Sequence, residues 1–202
     1  MNLFDQIVLL LTGLIAVYLI WRFWGRYSTA KALYDVYYIL GFAVLFVSGV
    51  LLIFLGYGIL ESPYVLTVAS LIPLGISIGL VRQYKPEWKR AYVWFALIGF
   101  LTIALTSILG SDLKKIAVPV FHGVAGLVIF LLPFFAKGAP KNFWWVGIGG
   151  ALIGLGGIAL AFLSAGSQLL FFSQGFVLTI LAPLLLLMTL AFTYGFMQDL
   201  KK

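Results

Sequence analysis

Apolar residues dominate this chain in long runs, broken at intervals by short stretches that carry nearly all of the charge. A helix needs about 20 consecutive apolar residues to cross the hydrocarbon core of a bilayer. Seven runs reach or approach that length: residues 3–24, 34–56, 64–81, 91–109, 116–136, 143–163 and 170–196. None shows the period-two alternation of a membrane strand, so helices are expected. The connectors are too short for a further domain. The expectation is an all-α membrane protein, a seven-transmembrane helix bundle, with residues 1–202 forming a single polytopic membrane domain.

Composition agrees with the pattern. Of the 202 residues, 63% are hydrophobic and only 9% charged, against roughly 25% charged in a soluble domain. The N-terminus lacks the basic flank and the small-residue cleavage site of a signal peptide, so its first run is expected to stay as a span.

The net charge of +7 changes meaning once its positions are considered. Arg22, Arg26 and Lys31 follow the first run; Arg82, Lys85, Lys89 and Arg90 the third; Lys137 and Lys141 the fifth; Lys201 and Lys202 the last. Only Lys114 and Lys115 fall at the other end. Lys and Arg concentrate in cytoplasmic loops, which predicts an N-terminus outside and a C-terminus in the cytoplasm. All 6 tryptophans fall near the same predicted inner ends, as an interfacial belt would. Expected partners are therefore membrane lipids, with anionic head groups at the cytoplasmic face, and not nucleic acid. The expected location is the cell membrane, multi-pass.

Several chemistries are disfavoured by what is missing. The absence of cysteine removes disulfides, thiolate nucleophiles and cysteine-based metal sites. A single histidine cannot supply bis-histidine haem ligation. No lysine falls inside a run, so a retinal Schiff base has no attachment point. Gly75-Ile76-Ser77-Ile78-Gly79 matches the G-x-S-x-G pattern but lies within an apolar run and far in depth from His122. It reads as a packing stretch. No catalytic residue, metal ligand or cofactor is assigned.

Small residues at helical spacing mark close helix contacts in lipid. Gly147, Gly150, Gly154, Gly157 and Ala161 make such a stripe in the sixth run, read as a helix-packing seam. Pro73, Pro133 and Pro183 lie inside runs and cannot donate to the carbonyls of Ala69, Ile129 and Thr179. Asp35, one turn after Lys31, is expected to pair with it.

His122 falls about two turns inside the fifth run, roughly 9–10 Å deep at 1.5 Å per residue. With Gln174, Glu61, Asp112 and Asp5, all near the outer end, it is expected to form an outer polar vestibule. The functional expectation is a transporter, channel or sensor for a small solute. The alternative is a non-catalytic structural or accessory subunit, as a homo-oligomer or beside a membrane partner. A lipid-active enzyme ranks last, because the chain lacks the carboxylate or histidine clusters it would need.

Overall fold

The computed structural model describes residues 1–164 and 174–201, with side chains for 1–157 and 175–201. Every regular element among them is helical. Eight α-helices follow in order: α1 (Leu3–Ala30), α2 (Leu33–Leu55), α3 (Pro63–Ala69), α4 (Leu71–Tyr84), α5 (Lys89–Ile108), α6 (Lys114–Phe135), α7 (Trp144–Ser164) and α8 (Gln174–Leu200). Six helical stretches, the pair α3–α4 being one of them, are long and apolar enough to cross a membrane, the mark of a multi-pass membrane protein. α7 is a further apolar helix, described with side chains over Trp144–Gly157.

Local chemistry sets the helix ends. The Asn2 side chain accepts from the Asp5 amide at 2.8 Å and caps α1. At the other end Lys31 turns into the left-handed region, φ 52°, and its amide donates to the Tyr27 carbonyl. α1 and α8 both run beyond their apolar segments, which end at Trp24 and Phe196. With 28 residues, α1 is about 42 Å long, more than the ~30 Å hydrocarbon thickness. Its last turns, and the matching turns of α8, bring Arg26 and Asp199 together at one end of the bundle.

The third apolar run is a broken helix. α3 stops at Ala69, the residue whose carbonyl loses its donor to Pro73, and Ser70 forms the turn into α4. The Ser70 amide is shared between the Leu66 and Thr67 carbonyls, and its hydroxyl donates to Thr67 at 2.6 Å. α4 is buried on every side from Ile72 to Val81. Its backbone meets α2 closely: a Cβ at Gly75 would lie 2.9 Å from the Tyr37 carbonyl oxygen and 3.1 Å from the Gly41 nitrogen. Ser77 is fully buried, and its hydroxyl donates to the Leu74 carbonyl at 3.0 Å.

Contacts run in a closed circuit, α1–α2–α4–α6–α7–α8 and back to α1, while α5 packs outside on α3, α4 and α6. Aromatic side chains fill one half of this ring. Phe23, Tyr38, Phe42, Phe143, Phe192 and Phe196 are all at most 1% exposed. Phe196 sits at their centre, with ring centroids 5.2 Å from Phe23 and 4.8 Å from Tyr38. Offset and edge contacts of this kind add stability beyond area burial, about 0.5–1.5 kcal/mol per pair.

Candidate functional site

Polar chemistry collects at the two ends of the ring. The end that carries Arg22, Arg26 and Lys31 holds a hydrogen-bonded charge cluster. There Arg26 Nε donates to both carboxylate oxygens of Asp35 at 3.0 Å, and Nη2 donates to Oδ1 at 2.6 Å. Its Nη1 reaches Asp199 Oδ2, also at 2.6 Å. Asp199 further accepts from Gln83 Nε2 at 2.8 Å and from the Tyr84 hydroxyl at 3.0 Å. The Tyr38 hydroxyl donates to Gln83 Oε1 at 2.8 Å. One network thereby ties α1, α2, α4 and α8 together directly above the aromatic core.

Burial makes this cluster consequential. The Asp35 side chain has no solvent exposure, and Arg26 and Asp199 keep only 18% and 8%. Charges so placed are tolerable only when paired and hydrogen-bonded. Both carboxylates meet that condition, and the guanidinium also lies over the rings of Tyr34 and Phe23. The expected pair of Asp35 with Lys31 does not form. Lys31 sits in the left-handed turn outside the helices, with its ammonium 5.5 Å from the Tyr27 ring centroid. Asp199, 173 positions from Arg26 in sequence, was not singled out by sequence reasoning.

The opposite end is open. A cleft of about 450 Å³ is lined by Met1, Asn2, Asp5, Tyr57, Leu178 and Thr179. It lies between the first turn of α1, the 3₁₀ turn Tyr57–Glu61 and the N-terminal part of α8. Asp5 is only 6% exposed. None of the ion pairs among the described residues involves it. The Tyr57 hydroxyl is buried next to the Asp5 carboxylate. Burial first, and then the adjacent Asp5 carboxylate, push this phenol up to about 12.

Of the residues read as an outer vestibule, Asp5 lines the cleft, while His122, Glu61 and Asp112 are not among its described lining. Glu61 is exposed at the end of the 3₁₀ turn. Asp112 is exposed in the connection before α6 and pairs with Lys115 at 2.7 Å. That hydrogen-bonded ammonium, with Lys114 beyond it, holds the Asp112 carboxyl below the usual carboxylate range. The imidazole of His122 lies at the contact of α6 with α7, where a Cβ on Gly157 would collide with Nε2. Nε2 is buried without a hydrogen-bond partner among the described residues. The Gln174 side chain, like that of Ala161, lies outside the described residues.

Gly147 and Gly150 of α7 face α6. A Cβ at Gly147 would lie 2.6 Å from the Phe130 carbonyl oxygen, and one at Gly150 would lie 2.5 Å from the Phe130 nitrogen. At Gly154 no described atom comes within 4 Å of an added Cβ. Gly149 and Gly156 turn to α8 and meet Phe192 and Leu184. No group of three or more His, Cys, Asp or Glu able to hold a metal ion occurs among the described residues.

No protein-family model matches the chain, and no curated protein or solved structure matches it.

Proposed function

We propose that this chain is a seven-span integral membrane protein, N-terminus outside and C-terminus in the cytoplasm, that handles a small solute as a transporter. A channel or a sensor would use the same parts. The observation that carries this reading is the asymmetry of the ring: a polar cleft open at one end, a hydrogen-bonded charge cluster over a solid aromatic core at the other. A cleft whose lining includes a buried carboxylate, a phenol and a threonine suits the docking of a small polar solute. The Arg26–Asp35–Asp199 cluster then acts as an inner seal, and its four helices part when the bundle opens inward. Ion pairs suit such a task because their partners can be traded for water at modest net cost.

The closed aromatic core supports the alternative, a non-catalytic accessory subunit, in which the same cluster is only a fastening. Accessibility from the inner side separates the two. Met188 lies on α8 within the core and is 1% exposed, and the chain contains no cysteine. Met188→Cys in sealed inside-out vesicles is expected to react slowly with a small thiosulfonate reagent. It should react several-fold faster when Asp199→Asn weakens the seal. Protection of Met188→Cys in both backgrounds, in a protein that remains folded, would refute an opening inner end and leave the accessory reading.

A further inference from the structure

The cleft brings together oxygen groups from three separate elements. Asp5, on α1, is a nearly fully buried carboxylate outside every ion pair among the described residues. The Tyr57 hydroxyl, from the 3₁₀ turn, is buried beside the Asp5 carboxylate. Thr179 lines the cleft on α8, and its carbonyl lacks the usual donor four residues on, because that residue is Pro183. The Thr179 hydroxyl donates to the Gly175 carbonyl at 2.8 Å, which leaves its own lone pairs free to accept.

A buried carboxylate with no counter-charge is among the most costly groups a protein can hold, and such groups are normally paired or bound to a cation. Capping explains only part of Asp5. An acid in the first turn of a helix is favoured by the helix dipole, by about 0.3–1 kcal/mol, and exposure would serve that purpose as well as burial. We propose that Asp5, Tyr57 and Thr179 form a binding site for a monovalent cation. The carboxylate supplies the one compensating charge, while the freed carbonyl and the hydroxyls supply neutral oxygen ligands. This ligand set matches a hard ion such as sodium or potassium, or the ammonium head of a small amine. It has one negative charge, too few to favour a divalent ion. The inference deepens the solute-handling reading, on which it rests for the cation's role, though binding itself does not require transport.

Cation-specific stabilisation of the detergent-purified full chain is the test. Melting is followed in about 100 mM sodium, potassium, methylammonium or N-methylglucamine chloride, all at equal ionic strength. The expected result is a melting temperature a few degrees higher in at least one of the first three than in N-methylglucamine, saturating with concentration. A rise with sodium or potassium identifies an alkali ion, and a rise with methylammonium alone identifies an amine. Asp5→Asn should weaken the apparent affinity at least about tenfold, the usual magnitude for a hydrogen-bonded charge. Pro183→Ala returns a donor to the Thr179 carbonyl without touching any charge. It should weaken affinity about threefold or more while leaving the cation-free melting temperature unchanged or higher. Equal melting in all four salts overturns the site. So does a salt effect that survives Asp5→Asn, or one that Pro183→Ala leaves at full strength. A specific shift without cation-driven flux in proteoliposomes would keep the site and overturn the transporter reading instead.

Discussion

Asp35 and Arg26 carry the residue-scale case for the seal proposed at the basic end of the bundle. Asp35 has no exposed side-chain surface, and three of its hydrogen bonds come from one guanidinium. Removing the charge of Arg26 strands two buried carboxylates, which typically costs about 3–5 kcal/mol. Arg26→Met is therefore expected to lower the melting temperature in detergent strongly. Asp35→Leu combined with Arg26→Met should recover part of the loss, since an apolar pair of similar volume removes one of the two stranded charges. A double variant no more stable than Arg26→Met alone would deny the coupling. The sequence displayed both aspartates at the basic end, yet it gave no means of joining Arg26 to a residue 173 positions away. The nearer mispairing has a local cause. Spacing suggested Lys31 and Asp35 on one helix, but the chain reverses at Lys31, so the two are not on a shared face.

At the scale of elements, apolar runs located the helices well and their ends poorly. Hydropathy registers where lipid stops, whereas a helix continues until its backbone is capped, and so α1 and α8 overrun their apolar segments. The break between α3 and α4 was legible as Pro73, though the proline alone did not say whether the helix would bend or stop. Glycine spacing in α7 pointed to one face, but it could not rank the positions on it. The structure does: a Cβ added at Gly150 would meet α6 backbone, and one added at Gly154 would meet no described atom within 4 Å. Gly150→Ala should accordingly cost about 1–3 kcal/mol through forced separation of α6 and α7. Gly154→Ala should be neutral or stabilising by up to about 1 kcal/mol, from helix propensity alone. Thermal unfolding in detergent reads both, and equal sensitivity at the two positions would contradict this ranking. Pro183 shows the opposite balance: its effect on the Thr179 carbonyl followed from sequence, but that this carbonyl's residue borders a cleft with Asp5 and Tyr57 did not.

The whole molecule has a sidedness that its charges and its packing express independently. Arg26, Asp35, Gln83, Tyr84 and Asp199 meet at one end, so the α1–α2 connection, the end of α4 and the end of α8 lie on the same side. Asp5, Tyr57 and Thr179 meet at the other. The helix ends on the first side carry Arg22, Arg26, Lys31, Arg82, Lys85 and Lys201, together with the exposed indoles of Trp21, Trp24 and Trp88. A charge bias of this kind sets orientation during insertion, and the proposed topology puts that side in the cytoplasm. Because the chain has no cysteine, the assignment can be tested one position at a time with a membrane-impermeant thiol reagent on intact cells. Ser62→Cys, between the 3₁₀ turn and α3, should label. Ser28→Cys in the last turn of α1 and Lys141→Cys between α6 and α7 should label only after the membrane is opened. The Lys141 position also bears on the span count, since it shares a side with Ser28 only if α2 through α6 make four crossings, with α3 and α4 together forming one. Labelling of Ser28→Cys and Lys141→Cys in intact cells, with Ser62→Cys protected, would invert the protein. Labelling of Lys141→Cys alongside Ser62→Cys would remove one crossing between them.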